Sequence, residues 1–237
     1  MKFLKLLIGL ALLPACAAVT QALLQLLTGL GIPAIEQVPI HVWWLFGGFV
    51  FWIAIFFSMP RPIRTYVLAH ELTHALWGMV MGARVSRLRV SKSGGSVTLS
   101  KSNFLIALAP YFFPFYTVLV LVAHYVIGFF FDMSVYEPFW LALVGFTWGF
   151  HLTFTATTLM QQQPDIMEHG RIFSYALIYI LNLAGIGLWV AGVTPPTVSD
   201  WGHSLVREGL LAYTLCWDFV RELFARHAIP AFQNLQK

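Results

Sequence analysis

Apolar residues run along this chain in long blocks separated by short polar interruptions. They show neither the strict alternation of a half-buried strand nor the narrow stripe of a soluble helix. The first block begins after Lys2 and Lys5 and continues through Leu23, Leu24, Leu26 and Leu27 to Ile32. It exceeds the apolar core of a signal peptide, so it reads as an uncleaved first transmembrane helix. Pro33 to Gln37 reads as a polar turn, and a second block covers about 42–59, where Trp43, Trp44 and Trp52 suit interfacial belts. Pro60-Arg61-Pro62-Ile63-Arg64 breaks the pattern with two cations, and a helix follows over about 65–81 with Gly82 as its stop. Further blocks cover about 104–131, interrupted by Pro110 and Pro114, then 139–159 and 172–193, the last ending at Thr194-Pro195-Pro196. From 201 onward Arg207, Glu208, Asp218, Arg221, Glu222 and Arg226 recur within apolar sequence, the pattern of an amphipathic, interfacial helix.

Residues 83–101 differ in kind. Val85, Leu88 and Val90 mix with Arg84, Arg87, Arg89 and Lys92, then Ser93-Gly94-Gly95-Ser96 leads into Val97-Thr98-Leu99. Two β-prone runs joined by a Gly-Gly turn predict a hairpin. Its edge offers unpaired backbone to an extended peptide.

Composition supports the membrane reading. Of 237 residues, 59% are hydrophobic and only 10% charged, and the mean hydropathy is +0.75; soluble domains carry about 25% charged residues. The expected fold is an all-α polytopic membrane protein with about five to six transmembrane helices and a small β-hairpin after the 65–81 helix. One membrane-embedded domain spans 1–237, with a core at 65–175 and an amphipathic C-terminal helix over 201–237. The net charge of +4 is spread through short loops, which points to lipid headgroups and topology and away from nucleic acid. Cys16 and Cys216 define no disulfide framework.

Chemistry concentrates in His70-Glu71-Leu72-Thr73-His74. Residues four apart share a helix face, so His70 and His74 can present both imidazoles to one metal ion. Glu71, one position on, sits beside the metal and can serve as the base for a metal-activated water. An unpaired glutamate exposed to lipid on such an apolar helix would be costly, so ionisable residues at this depth point to a functional site. A catalytic zinc needs a third protein ligand. The candidates within or bordering the apolar blocks are His124, His151, Asp165, Glu168 and His169. Asp165 and Glu168 lie in the polar segment between two blocks, where Pro164 and Gly170 allow the chain to fold back. His151 reads either as a donor to the oxyanion or as a packed core histidine.

With Gly82-Ala83-Arg84-Val85 and the Gly94-Gly95 hairpin, the motif resembles the intramembrane site-2 protease group of metallopeptidases, the M50 type. The resemblance covers roughly 65–175, and it implies a Zn2+-dependent metalloendopeptidase cleaving peptide bonds within or near the bilayer. It implies His70, His74 and an Asp as ligands and Glu71 as the catalytic residue. The second family motif is distorted here: Pro164-Asp165 favours Asp165 as the ligand, whereas alignment on Gly170-Arg171 favours Glu168. The expected partners are a transmembrane protein or peptide substrate and membrane lipid, in a multi-pass protein of a bacterial inner or cell membrane. The distortion leaves an alternative, a catalytically impaired relative that binds or regulates a membrane partner. The cations at Lys2, Lys5, Arg61 and Arg64, and those of the hairpin, argue for a site nearer the cytoplasmic side. For that, either the 65–81 helix crosses incompletely or the hairpin folds back toward the site.

Overall fold

The computed structural model describes residues 2–29, 40–91, 93–193 and 197–234. The expected turn at 33–37, Lys92 and the Thr194-Pro195-Pro196 stop lie outside the described residues. The chain forms two compact units, Met1–Ile32 with Gly170–Lys237, and Pro33–His169.

The first unit contains α1 (Lys2–Ala11), α2 (Leu13–Gly29), α9 (Arg171–Val193) and α10 (Val198–Asn234). The first apolar block is thus helical from Lys2 to Gly29, interrupted only at Leu12. Val19, Ala22, Leu23 and Leu26 of α2 pack with Val190, Ala191 and Trp201. Trp201 lies over Gly187, where a Cβ would collide with the indole ring. The Glu208 side chain is buried in this unit and accepts hydrogen bonds from Gln25 Nε2 and Arg207 Nε, both at 3.0 Å. A buried carboxylate needs such partners.

The second unit holds the remaining elements. α3 (Ile40–Ser58) packs along α7 (Glu137–Leu159). At the crossing Gly48 meets the Ala142 carbonyl and Gly145 meets the Leu45 carbonyl, with no space for a Cβ at either glycine. Small residues let membrane helices approach this closely. Around them Trp52, Phe56, Phe150 and Phe154 form an aromatic cluster, and Trp52 Nε1 donates to Thr153 Oγ1 at 2.9 Å. Trp52 is therefore a core residue, only 3% exposed, and not part of an interfacial belt. Its indole hydrogen finds a partner inside the bundle and does not need the headgroup region.

The helix bearing the motif, α4 (Ile63–Val80), ends where Gly82 takes φ +75°. Ala83 N–H donates to the Gly78 carbonyl at 2.7 Å and Gly82 N–H to the Met79 carbonyl at 2.9 Å. These two bonds make a Schellman stop and reverse the chain. It returns as β1 (Val85–Ser91) and β2 (Gly94–Leu99), an antiparallel pair. Ser91 pairs with Gly94 and Val90 with Gly95, so the glycines open β2 and do not form the turn. Packing requires this placement: a Cβ on Gly95 would lie 2.6 Å from both Glu71 Cγ and Val67 Cγ1. Leu99, at the other end of β2, reaches Gly78. The hairpin thus folds back along α4.

Next come α5 (Phe104–Phe112) and α6 (Phe115–Gly128), bent by 75° at their junction. The break falls at Pro114, whereas Pro110 sits inside α5 without ending it. A 3-10 turn at Ser134–Tyr136 leads into α7, and α8 (Pro164–His169) closes the unit.

Among the described residues three helical stretches are long and apolar enough to cross a membrane: Phe3–Gly29, Ser134–Leu159 and Arg171–Gly192. The bent α5–α6 pair makes a fourth if it counts as one span. This is a mostly helical, multi-pass membrane architecture with a two-stranded hairpin. The expected five to six spans included two helices that fall outside this set. Val42–Ser58 is apolar but shorter, and α4 is diluted by Arg64, His70, Glu71 and His74.

Candidate metal centre

The helical spacing that brings His70 and His74 together places their Nε2 atoms 3.2 Å apart. Asp165, at the start of α8, brings Oδ2 to 3.5 Å from His70 Nε2 and 3.6 Å from His74 Nε2. These three residues form a group able to hold a metal ion. For bonds of about 2.0–2.2 Å to zinc, the edges of a ligand tetrahedron measure about 3.3–3.6 Å. The donor set and its spacing therefore fit a tetrahedral metal with one vertex left for another ligand.

Outer contacts orient each donor. His74 Nδ1 donates to the Ile106 carbonyl at 2.8 Å, which leaves Nε2 facing Asp165. The Tyr66 hydroxyl lies 3.3 Å from His70 Nδ1, and the Tyr66 ring stacks on Phe154 at 4.6 Å. Tyr111 donates to Asp165 Oδ2 at 3.1 Å. Burial alone would raise the Asp165 pKa, but the two imidazoles, 3.5 and 3.6 Å from its Oδ2, outweigh it and hold the carboxyl well below the usual carboxylate range.

Glu71 is 7% exposed and lines the same cavity as the three donors, which has a volume of ≈ 890 Å³. The hairpin forms one wall through Gly94 to Val97, with Gly95 against the Glu71 side chain. Gln161, Gln163 and Glu168 lie along the cavity as well, while Arg61 and Ser102 add further polar groups. Glu168, the alternative third donor, lines the cavity without belonging to the converging group.

The histidines considered as third ligands lie elsewhere. His151 lines a separate small cavity with Tyr66, Thr73 and His70 and does not line the main one. His124 faces the Trp140 ring at 5.4 Å, and His169 is buried in α8. Sequence reasoning missed Tyr66, Tyr111 and the Ile106 carbonyl. Tyr66 stands four residues before His70, a same-face spacing that was available as a signal. The Tyr111–Asp165 bond spans 54 residues, and no local pattern announces it.

Two imidazoles and one carboxylate thus converge beside a buried glutamate in a mostly helical protein with several candidate membrane spans. The chain belongs to the Peptidase M50B-like family, whose model matches residues 43–161. That match runs from α3 to the end of α7, so it contains His70, Glu71 and His74 and ends before Asp165. Neither a curated protein nor a solved structure matches the chain.

Proposed function

We propose that this protein is an intramembrane zinc metalloendopeptidase that cleaves membrane-embedded or membrane-adjacent peptide segments. The observation that carries this reading is the convergence of His70, His74 and Asp165 within 4.8 Å of one another, beside Glu71 in one cavity. His70, His74 and Asp165 would hold the metal. When bound, zinc would polarise the scissile carbonyl and ease deprotonation of water. Glu71 takes the proton from the attacking water and passes it to the departing amine.

The substrate would be a transmembrane protein or peptide, entering as an unwound, extended segment. β2 forms the cavity wall beside Glu71, with Gly95 packed against the Glu71 side chain. An extended peptide pairing with this strand would therefore pass directly across the base. Arg61 reaches the cavity and Arg64 is the second residue of α4, which supports a site opening toward the cytoplasmic face of a cell membrane. Two imidazoles and a carboxylate suit zinc, although iron or cobalt accept the same donors.

The test uses the full-length protein purified in detergent and a single-span test substrate. Zinc-dependent cleavage that a chelator abolishes, and that Glu71→Gln lacks while retaining zinc, is the expected result. Full cleavage by zinc-loaded Glu71→Gln would overturn the assignment of the base. Substrate binding with no cleavage by the zinc-loaded wild type would favour the non-proteolytic binding reading.

A further inference from the structure

An α-helical amide donates to the carbonyl four residues earlier. Pro110 has no amide hydrogen, so the carbonyl of Ile106 lacks its helical donor. That carbonyl instead accepts a hydrogen bond from His74 Nδ1 at 2.8 Å. A carbonyl can only accept, so His74 must carry its ring proton on Nδ1, and the lone pair of neutral His74 lies on Nε2. Nε2 is the atom that faces His70 and Asp165. An interior proline, ordinarily a defect in a helix, here releases the acceptor that sets the tautomer.

The next residue acts on the other two donors. Tyr111 is 0% exposed, and its hydroxyl donates to Asp165 Oδ2 at 3.1 Å, the same oxygen that faces both imidazoles. Its ring stands edge-on to His70, with centroids 5.4 Å apart and planes at 85°. Tyr111 is not among the side chains lining the cavity, so it supports the donors without reaching the substrate.

We propose that Pro110 and Tyr111 are the positioning residues of the metal centre. Pro110 frees the Ile106 carbonyl to orient His74, and Tyr111 holds Asp165 by its hydroxyl and His70 by its ring. α5 is then the outer shell of a centre whose ligands all come from α4 and α8. This inference rests on the metal-binding reading of the site.

Pro110→Ala and Tyr111→Phe test it in the full-length protein. Two quantities are read: zinc affinity by competition with a chromogenic chelator, and the melting temperature of the zinc-free protein. Each variant is expected to bind zinc about 10–100-fold more weakly. Pro110→Ala restores an amide donor for the Ile106 carbonyl, so its zinc-free melting temperature should hold or rise while its zinc affinity falls. A purely structural role would move the two readouts together. The inference is overturned if both variants bind zinc as tightly as the wild type. It is equally overturned if affinity falls only in step with a lowered zinc-free melting temperature. A wild type that binds no zinc would overturn the metal reading itself, a result distinct from wild-type binding matched by both variants.

Discussion

Gly95→Ala is a one-carbon perturbation of the contact between β2 and the proposed base. The added Cβ would sit 2.6 Å from Glu71 Cγ, 2.6 Å from Val67 Cγ1 and 2.8 Å from Glu71 Oε1, whereas ordinary contact begins at 3.4 Å. Relief therefore needs a shift of about 0.8 Å, shared between β2 and the Glu71 side chain, a displacement of the size that costs about 10²-fold in rate at a catalytic group. Neither His70 nor His74 is among the three atoms that the new Cβ would meet first, so zinc affinity should hold. We expect kcat on a single-span substrate to fall about 100-fold, with zinc stoichiometry and melting temperature close to wild type. Gly47→Ala, where a Cβ meets nothing within 4 Å, is the matched control. Wild-type kcat in Gly95→Ala would refute the claim that this glycine lets the hairpin seat against Glu71.

Asp165→Asn should weaken zinc binding by at least about 10-fold in a chelator competition, while Glu168→Gln should bind zinc as the wild type does; the reverse order would reassign the third ligand. Gly145→Val should lower the melting temperature of the detergent-solubilised protein, because its side chain has no space against the Leu45 carbonyl. Overpacking of this kind costs about 1–3 kcal/mol where neighbours can yield, and a backbone carbonyl yields little. His151→Gln should leave kcat/KM close to wild type, because His151 lines a cavity separate from the one containing Glu71; a loss of several orders of magnitude would restore it as an oxyanion donor.

The elements whose signals are local were legible in the sequence. The apolar blocks became helices, Gly82 stopped α4, and the two β-prone runs within 85–99 became a hairpin. What escaped depended on residues far apart in the chain. Gly94 and Gly95 look like a turn by composition, but their function is close packing, and only the fold reveals that Gly95 meets Glu71. Trp52 suits an interface by residue type, yet Thr153 gives its indole a partner in the interior. His70, Glu71 and His74 could be read from their spacing within one helix. The choice between Asp165 and Glu168 could not, since both occur within one six-residue helix and only its placement against α5 separates them. Pro110 was visible as a possible kink; its effect on the Ile106 carbonyl needed His74 beside it.

The proposed function requires this site to hydrolyse peptide bonds of a membrane-embedded segment. Mass-spectrometric mapping of the products from a single-span substrate, incubated with zinc-loaded wild type and zinc-loaded Glu71→Gln, tests it most directly. We expect a discrete cut within or next to the apolar segment for the wild type and an intact substrate for Glu71→Gln. An intact substrate with fully zinc-loaded wild type, or the same cut with both proteins, would contradict it.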